Sequence, residues 1–412
     1  MNCRFCNNTL TNEFVDLGFS PPSNAFLSKA QLNEPETFYP LKIMVCEKCF
    51  LVQIDEFAKH DAIFNSEYAY FSSFSTSWLA HAKAYTTMMV ERFGFSNKSQ
   101  VIEIASNDGY LLQYFKELNV PVLGIEPTAN TAAAAKLKGI NTIVDFFGVK
   151  LANSLAAENR KADLLLGNNV LAHVPDINDF VAGLKILLND EGVITFEFPH
   201  LLQLIDKNQF DTIYHEHFSY LSLVAVKQIF EHHQLNIFDV EEVVTHGGSL
   251  RIFAKHSNDL TKAISNNVEN MLEKEINFGL TDLTIYQNYQ AKAEKVKNDF
   301  TEFLILAKKE GKKVAAYGAA AKGNTLLNFA GIKKDLLEFV VDASPHKQNK
   351  YLPGVHIPVV SIDYLNKQKP DYVVLLPWNL QDEITSQLNY IKNWDGRFVV
   401  AVPQIEIINN KH

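Results

Sequence analysis

Val101-Ile102-Glu103-Ile104-Ala105-Ser106-Asn107-Asp108-Gly109 decides the fold class. Its first residues have the apolar, β-branched character of a buried strand, and a polar turn with a single glycine leads into a helix expected from Tyr110. The same rhythm repeats downstream. Val122-Leu123-Gly124-Ile125 ends at Glu126-Pro127, an alanine-rich helix is expected over 131–138, and Thr142-Ile143-Val144 precedes Asp145. Residues 162–166 and 192–198 read as two further strands. This alternation predicts parallel strands joined by crossover helices, with ligands beyond the carboxyl ends of the strands, where the polar residues fall.

Toward the C-terminus, residues 259–310 interleave lysine and glutamate with few breakers and read as mostly helical. A second α/β module then opens with Lys313-Val314-Ala315-Ala316-Tyr317, a turn from Gly318 to Asn324 and a helix through Leu326 and Leu327. Strands are expected over 339–341 and 372–376, the latter ending at Pro377-Trp378-Asn379. Two nucleotide-type sheets predict two ligands.

Toward the N-terminus the cysteines decide the reading. All of them fall in two Cys-x-x-Cys pairs, Cys3 with Cys6 and Cys46 with Cys49. The N-terminus lacks the apolar core of a signal peptide, so the pairs point to one structural four-thiolate zinc site rather than to disulfides. The 39 residues between the pairs exceed the usual zinc-ribbon spacing and are enough for a small subdomain. An aromatic and serine-rich stretch, Tyr68-Ala69-Tyr70-Phe71-Ser72-Ser73-Phe74-Ser75, marks the next boundary. The expected domains are 1–70, 71–257 and 258–412.

The chain has 412 residues, 47% hydrophobic and 21% charged, which is an ordinary globular composition. A formal net charge of -9 argues against a nucleic-acid partner, which needs a concentrated basic surface. No apolar run is long enough to span a bilayer, so no membrane is expected and the chain reads as cytoplasmic.

Ile213-Tyr214-His215-Glu216-His217-Phe218-Ser219-Tyr220 packs phenols, imidazoles and a carboxylate into one short segment, a composition that packing does not require. As a strand, it would turn Tyr214, Glu216 and Phe218 to one face and His215, His217 and Ser219 to the other. The histidines are two apart rather than four, which departs from the helical zinc-hydrolase pattern. The run therefore points to proton transfer.

The turn after Ala105 lacks the three glycines of a dinucleotide fingerprint, which disfavours a nicotinamide cofactor. Glu103 ahead of that turn and Glu126 closing the next strand suit a positively charged nucleoside, because a carboxylate accepts both ribose hydroxyl hydrogen bonds with no phosphate nearby. S-adenosylmethionine is such a ligand.

Several motifs then appear in a specific order: the paired Cys-x-x-Cys module, Glu-x-x-Ser-Asn-Asp-Gly at 103–109, Asn168-Asn169-Val170-Leu171-Ala172-His173-Val174, Tyr214-His215-Glu216-His217, His246-Gly247-Gly248-Ser249-Leu250-Arg251, and Tyr317-Gly318-Ala319-Ala320-Ala321-Lys322-Gly323. In their order and combination, over essentially the whole length, the chain resembles the sugar C-methyltransferases. That family methylates nucleotide-linked 4-keto-deoxyhexoses at C-3 with S-adenosylmethionine. Ala105 stands where the family more often has glycine.

The resemblance implies an α/β chain with a small N-terminal four-cysteine zinc module, a central Rossmann-like methyltransferase domain and a C-terminal Rossmann-like domain. It places S-adenosylmethionine on Glu103, Ser106, Asn107, Gly109, Glu126, Asp145 and Asn168, with Asp145 near the adenine. It also implies that the C-terminal domain helps hold the sugar nucleotide, with Lys322, Gly323, Asn324, Asp342, Lys347 and His356 as candidate contacts. Gly318 to Thr325 comes close to a Walker A loop, but Asn324 occupies the lysine position; its small residues can still aim backbone amides at a diphosphate.

Methylating a carbon beside a ketone needs a base, stabilisation of the enolate oxygen and an aligned methyl donor. His217 is expected to take the proton with Glu216 orienting or tuning it, while Tyr214 or His173 hydrogen-bonds the developing oxyanion. Tyr70 is expected at the border of the sugar pocket, and His246, beside two glycines, reads as a turn residue. The competing readings are an O- or N-methyltransferase, a nicotinamide-dependent sugar oxidoreductase, and a non-enzymatic zinc-ribbon scaffold or nucleic-acid adaptor.

Overall fold

The computed structural model describes residues 1–57 and 71–408. Strands β1 (Asn12–Ser20), β2 (Tyr39–Val45) and β3 (Val52–Ile54) form an antiparallel meander that carries the cysteine pairs before β1 and after β2. The central domain follows with β4 (Val101–Ile104), β5 (Val122–Ile125), β6 (Thr142–Ile143), β7 (Ala162–Asn168) and β8 (Leu188–Pro199). These five pair in parallel, and every residue of β4 is buried, as expected of strands covered on both faces by helices. The next strand, β9 (Ser219–Tyr220), leaves this sheet and pairs with β3 instead. The chain then returns as β10 (Leu235–Val243) and β11 (Ser249–His256), an antiparallel hairpin on the β8 edge. The sheet order is β10-β11-β8-β7-β4-β5-β6.

The expected strands of the central domain are present within a few residues, but the β10–β11 hairpin was not anticipated. The lysine- and glutamate-rich stretch forms three helices, Asn266–Phe278, Leu283–Gln287 and Tyr289–Lys309, the first ended by Gly279 at φ 103°. Only glycine takes that backbone conformation readily. The C-terminal domain comprises β12 (Val314–Tyr317), β13 (Val340–Val341), β14 (Val359–Val360), β15 (Tyr372–Leu375), β16 (Arg397–Val400) and β17 (Glu406–Ile408), ordered β14-β13-β12-β15-β16-β17. All are parallel except β17.

The strand alternation considered for 213–220 is not found. Only Ser219–Tyr220 pairs as a strand; before it the chain turns, with the His217 N–H donating to the Tyr214 carbonyl at 3.0 Å. The physical reason is that the segment is enclosed on several sides. Ile213, Phe218 and Tyr220 belong to a core shared with Phe14 and Ile43 of the N-terminal sheet and with Leu326, Leu327 and Leu376 of the C-terminal domain. A flat two-faced strand cannot meet neighbours in that many directions.

Glu275, on the helix after β11, is fully buried and accepts the amides of Leu223 and Val224 at 2.6 and 2.7 Å, with His200 Nε2 also at 2.7 Å. It thereby caps the helix Leu223–His232, whose first amides have no intrahelical partner. Among the described residues, no helix is long and apolar enough to cross a membrane. Replacing Glu275 by alanine leaves these buried donors unsatisfied, and a loss of about 3 kcal/mol in urea unfolding is expected. A loss below about 1 kcal/mol would mean that water replaces the carboxylate.

Candidate active site

The first turn of the central domain is built by unusual backbone. Ala105 and Asn107 adopt φ 54° and 48°, and Gly109 φ 73°. For Ala105 this left-handed conformation costs roughly 1–2 kcal/mol relative to glycine, which makes the family's usual glycine intelligible. The turn is held by Glu126, whose carboxylate accepts the Asn107 and Thr128 amides at 2.8 Å each. Burial raises the Glu126 carboxyl, with the Thr128 and Asn107 donors opposing the shift.

A cavity opens beyond the ends of β4 to β7. Asn107, Glu126, Asp145, Phe146, Asn168 and Asn169 line one part of it, and Trp78, His173 and His246 line another. Asn168 Nδ2 and Asn169 Oδ1 are buried in its wall with no hydrogen-bond partner among the described residues. Asp145 is exposed, and one of its oxygens accepts the Phe146 amide at 2.8 Å.

Three residues expected at the cofactor lie elsewhere. Glu103 is completely buried beneath the cavity, and burial, followed by repulsion from Asp108 and Glu126, raises its carboxyl well above the usual range. It is held neutral and does not line the cavity. Ser106 is buried against β5, close enough that any side chain at Gly124 would collide with its hydroxyl. Gly109 permits close packing instead: a Cβ there would meet Ile140 at 3.0 Å and Ala135 at 3.3 Å.

The run after Ile213 packs against the cavity wall through the His173 ring. His217 Nδ1 lies 2.9 Å from the Thr212 carbonyl, which only accepts, so Nδ1 carries the proton and Nε2 is bare. The Tyr214 hydroxyl lies 2.8 Å from that Nε2 and donates to it. His173 Nδ1 similarly donates to the Glu216 carbonyl at 2.8 Å, and its ring stands edge-on to His217 with centroids 4.6 Å apart. Burial holds His217 well below its usual value and takes His173 down to about 4; the His173 charge adds to the shift of His217. Both rings are therefore neutral near neutrality.

These contacts correct two expected roles. The group that orients His217 is the Thr212 carbonyl, because the Glu216 carboxyl points away and accepts Asn24 Nδ2 of the N-terminal domain at 2.6 Å. Burial lifts that carboxyl to about 7, against the Asn24 hydrogen bond and the Lys347 charge. Neutral His173, with its proton on Nδ1, has no Nε2 proton to donate, whereas the Tyr214 hydroxyl carries one. Tyr70 lies outside the described residues.

From the C-terminal domain, Lys322 is half-buried with its ammonium 2.7 Å from Asn379 Oδ1 and 4.5 Å from the centre of the Trp378 ring. Burial lowers it, while its positive charge helps to lower both His217 and His246. Trp378 Nε1 donates to Asp211 Oδ2 at 2.7 Å, joining this domain to the segment before the run. The other candidate sugar-nucleotide residues are engaged in structure. Gly323 packs the helix onto Leu376, where a Cβ would come within 2.7 Å, and Asn324 is buried beside Asn328. Asp342 accepts the Ala319 and Ser344 amides at 2.8 Å each. Lys347 donates to the Ala319 carbonyl at 2.9 Å, and His356 pairs with Glu36 at 2.9 Å. The Ala319 amide is thus taken by Asp342, and that of Ala320 by the Gly318 carbonyl, so these two amides of the turn are engaged within the domain.

The cysteines do converge. Cys3 and Cys49 sulfurs are 3.6 Å apart, Cys6 and Cys46 3.5 Å, and all four fall within 4.8 Å of one another. Tetrahedral Zn–S bonds of about 2.3 Å need edges of about 3.8 Å, so the set fits zinc without an open position. Gln53 Nε2 donates to Cys3 Sγ at 3.2 Å and orients it.

Three family models match in succession: a zinc binding domain over residues 3–64, a methyltransferase domain over 79–240 and a C-methyltransferase C-terminal domain over 244–403. The C-methyltransferase NovU of Streptomyces niveus is 33% identical over 408 residues, spanning 99% of this chain and 96% of that protein. The chain belongs to the C-methyltransferase family. It is an S-adenosylmethionine-dependent C-methyltransferase with a zinc-binding N-terminal domain. A ubiquinone biosynthesis O-methyltransferase of Bartonella quintana (strain Toulouse) is 26% identical over 96 residues, 23% of this chain and 39% of that one. Among solved structures, the PH0226 protein of Pyrococcus horikoshii OT3 covers 46% of this chain and 95% of its own, at 12% identity and a TM-score of 0.38.

For this C-methyltransferase, the orphaned Asn168 and Asn169 atoms, the Glu126 carboxyl and the Phe146 ring form a wall suited to a nucleoside. Sequence reasoning missed Asn169, Trp78, Asp211 and Trp378, and it read His246 as a turn residue alone. His246 does make a turn, at φ 54°, yet its ring lines the cavity and its buried Nε2 has no hydrogen-bond partner among the described residues. The Gly247-Gly248 pair was the available signal, since left-handed backbone collects at functional sites.

The two acids make opposite predictions for donor binding. Glu126→Gln, which loses an acceptor oxygen for the turn, is expected to weaken S-adenosylmethionine binding about tenfold by calorimetry. Glu103→Gln replaces a carboxyl already neutral and is expected to leave the affinity essentially unchanged. The reverse pattern would restore Glu103 as a ligand.

Proposed function

We propose that this enzyme transfers the methyl group to C-3 of a nucleotide-linked 4-keto-deoxyhexose through base-catalysed enolate formation. The supporting observation is the Tyr214–His217 pair: a buried imidazole with a bare Nε2, its tautomer held by a main-chain carbonyl, touching a phenol. A hydroxyl or amine acceptor already has a lone pair and makes lighter acid/base demands. A carbon beside a ketone needs a base and an oxyanion donor together.

In this reading His217 Nε2 removes the C-3 proton, and the Tyr214 hydroxyl turns from Nε2 to donate to the C-4 oxygen as negative charge develops there. His173 packs against the base and keeps it from tilting, while Lys322 supplies the positive charge on the C-terminal side. Glu126, Asp145, Asn107 and Asn168 face the nucleoside of the methyl donor. S-adenosylmethionine held there would supply an electrophilic methyl group to the C-3 carbon, its S–CH3 bond breaking as the C–C bond forms and S-adenosylhomocysteine leaving. Closing the site among three domains excludes water, which strengthens the hydrogen bond to the enolate. The zinc cluster takes no part in proton or methyl transfer.

His217→Asn is expected to slow both methyl transfer and C-3 hydrogen–deuterium exchange in heavy water by about 100-fold or more, with donor affinity retained. A panel of thymidine-, guanosine- and cytidine-linked 4-ketosugars with labelled methyl donor tests the substrate class. Product NMR showing a methoxy or N-methyl signal would replace C-methylation of such a sugar.

The pH profile follows from burial. Because His217 titrates well below 6.5, its neutral, basic form persists as pH falls through that value. The kcat profile is therefore expected to stay flat from about pH 8 to about pH 6, with the acid limb lower still. An acid limb centred near 6.5 would belong to a solvent-accessible histidine instead.

A further inference from the structure

We infer that Arg4, adjacent to the first zinc ligand, is a positioning residue that ties the metal knuckle to the loops carrying His173 and His217. The inference rests on the proposed function in taking His217 as the base. Arg4 itself touches none of the groups assigned to proton transfer or donor binding.

The side chain reaches out of the knuckle in a fork. Nη1 donates to the Pro175 carbonyl at 2.6 Å, and Nη2 donates to the Ile54 carbonyl. Pro175 lies two residues beyond His173. The guanidinium carbon stands 5.5 Å from the centre of the Phe218 ring, and Phe218 follows His217 directly. Ile54 closes the triangle, since its amide donates to the Phe218 carbonyl at 3.1 Å. One planar cation therefore spans β3 and both histidine loops.

The base of the fork is fixed to the metal site. The Arg4 amide donates to Gln53 Oε1 at 2.8 Å, while the amide end of the same Gln53 donates to Cys3 Sγ. Asn178 holds the other side, donating to the Arg4 and Phe5 carbonyls at 3.1 and 2.9 Å. A lysine offers a single ammonium with no planar fork and cannot reproduce both carbonyl contacts at once. Displacements of about 1 Å at a catalytic pair cost up to 100-fold in rate, and the 4.6 Å spacing of the His173 and His217 rings depends on these loops staying in register.

The test uses the full-length zinc-loaded protein with Arg4→Ala and Arg4→Lys. We expect zinc content and melting temperature close to those of the parent, kcat about tenfold lower in both variants, and an unchanged KM for the methyl donor. Ethylguanidinium added to Arg4→Ala is expected to restore part of kcat. In the ligand-free protein, long-range nitrogen–proton NMR is expected to show the single Nδ1–H tautomer of His217 in the parent and a shifted or mixed signal in Arg4→Ala. Arg4→Lys, which keeps charge and bulk, guards against a variant that fails to fold. Unchanged kcat and an unchanged His217 signal in zinc-replete variants would overturn the inference. So would activity loss that only tracks zinc loss. If the parent methylates no ketosugar, the proposed function fails, and the NMR comparison still decides the role of Arg4.

Discussion

The pairing of Val52 with Tyr220 and of Gln53 with Ser219 is the constraint on which the site depends. It takes a segment that belongs in sequence to the central domain and makes it the fourth strand of the N-terminal sheet. At the other end of the run, the Thr325 hydroxyl of the C-terminal domain donates to the Ile213 carbonyl at 2.7 Å. Tyr214 to Phe218 is thus stretched between two domains, with the His217 ring packed on His173 of the central domain and the Glu216 carboxyl turned to Asn24 of the N-terminal domain. Hydrogen bonds to main-chain atoms serve this purpose well, since they fix position without depending on a titrating group.

Burial then determines the chemistry. In a low-dielectric interior a charged imidazole is disfavoured, and the nearby Lys322 cation disfavours it further. The Thr212 carbonyl selects the tautomer, so a neutral base with a defined lone pair results. The adjoining Glu197 network has the opposite character. Glu197 is held down to about 2, because His81, Arg251 and Thr245 together overcome its burial. It remains a charged anchor beneath the turn that carries His246, and it stabilises the cavity wall rather than exchanging protons.

Much of this was legible in the chain. The central strands follow from apolar runs bounded by polar turns, and the four cysteines from their spacing alone. Glu126, Asp145, Asn107 and Asn168 stand at strand ends, where an α/β sheet exposes its residues, and all four line the cavity. Glu103 failed because it lies inside β4, where full burial makes a carboxyl neutral. Gly109 and Gly323 failed because a glycine that admits a ligand and a glycine that admits a neighbouring side chain look the same in sequence. Asp342, Lys347 and His356 each have a protein partner distant along the chain, which spacing in the sequence does not reveal.

By itself the sequence determined which chemical groups this protein has, which strands alternate with helices, and that a run dense in histidine, tyrosine and glutamate lies between two α/β sheets. Those features depend on local period and composition. The tertiary structure decided that Thr212 rather than Glu216 orients His217, that Tyr214 donates to its bare nitrogen, that His246 lines the cavity, and that the Lys322 charge acts on His217. Protonation state and hydrogen-bond direction depend on burial and on partners brought together by folding, and neither is encoded in the spacing of residues along the chain.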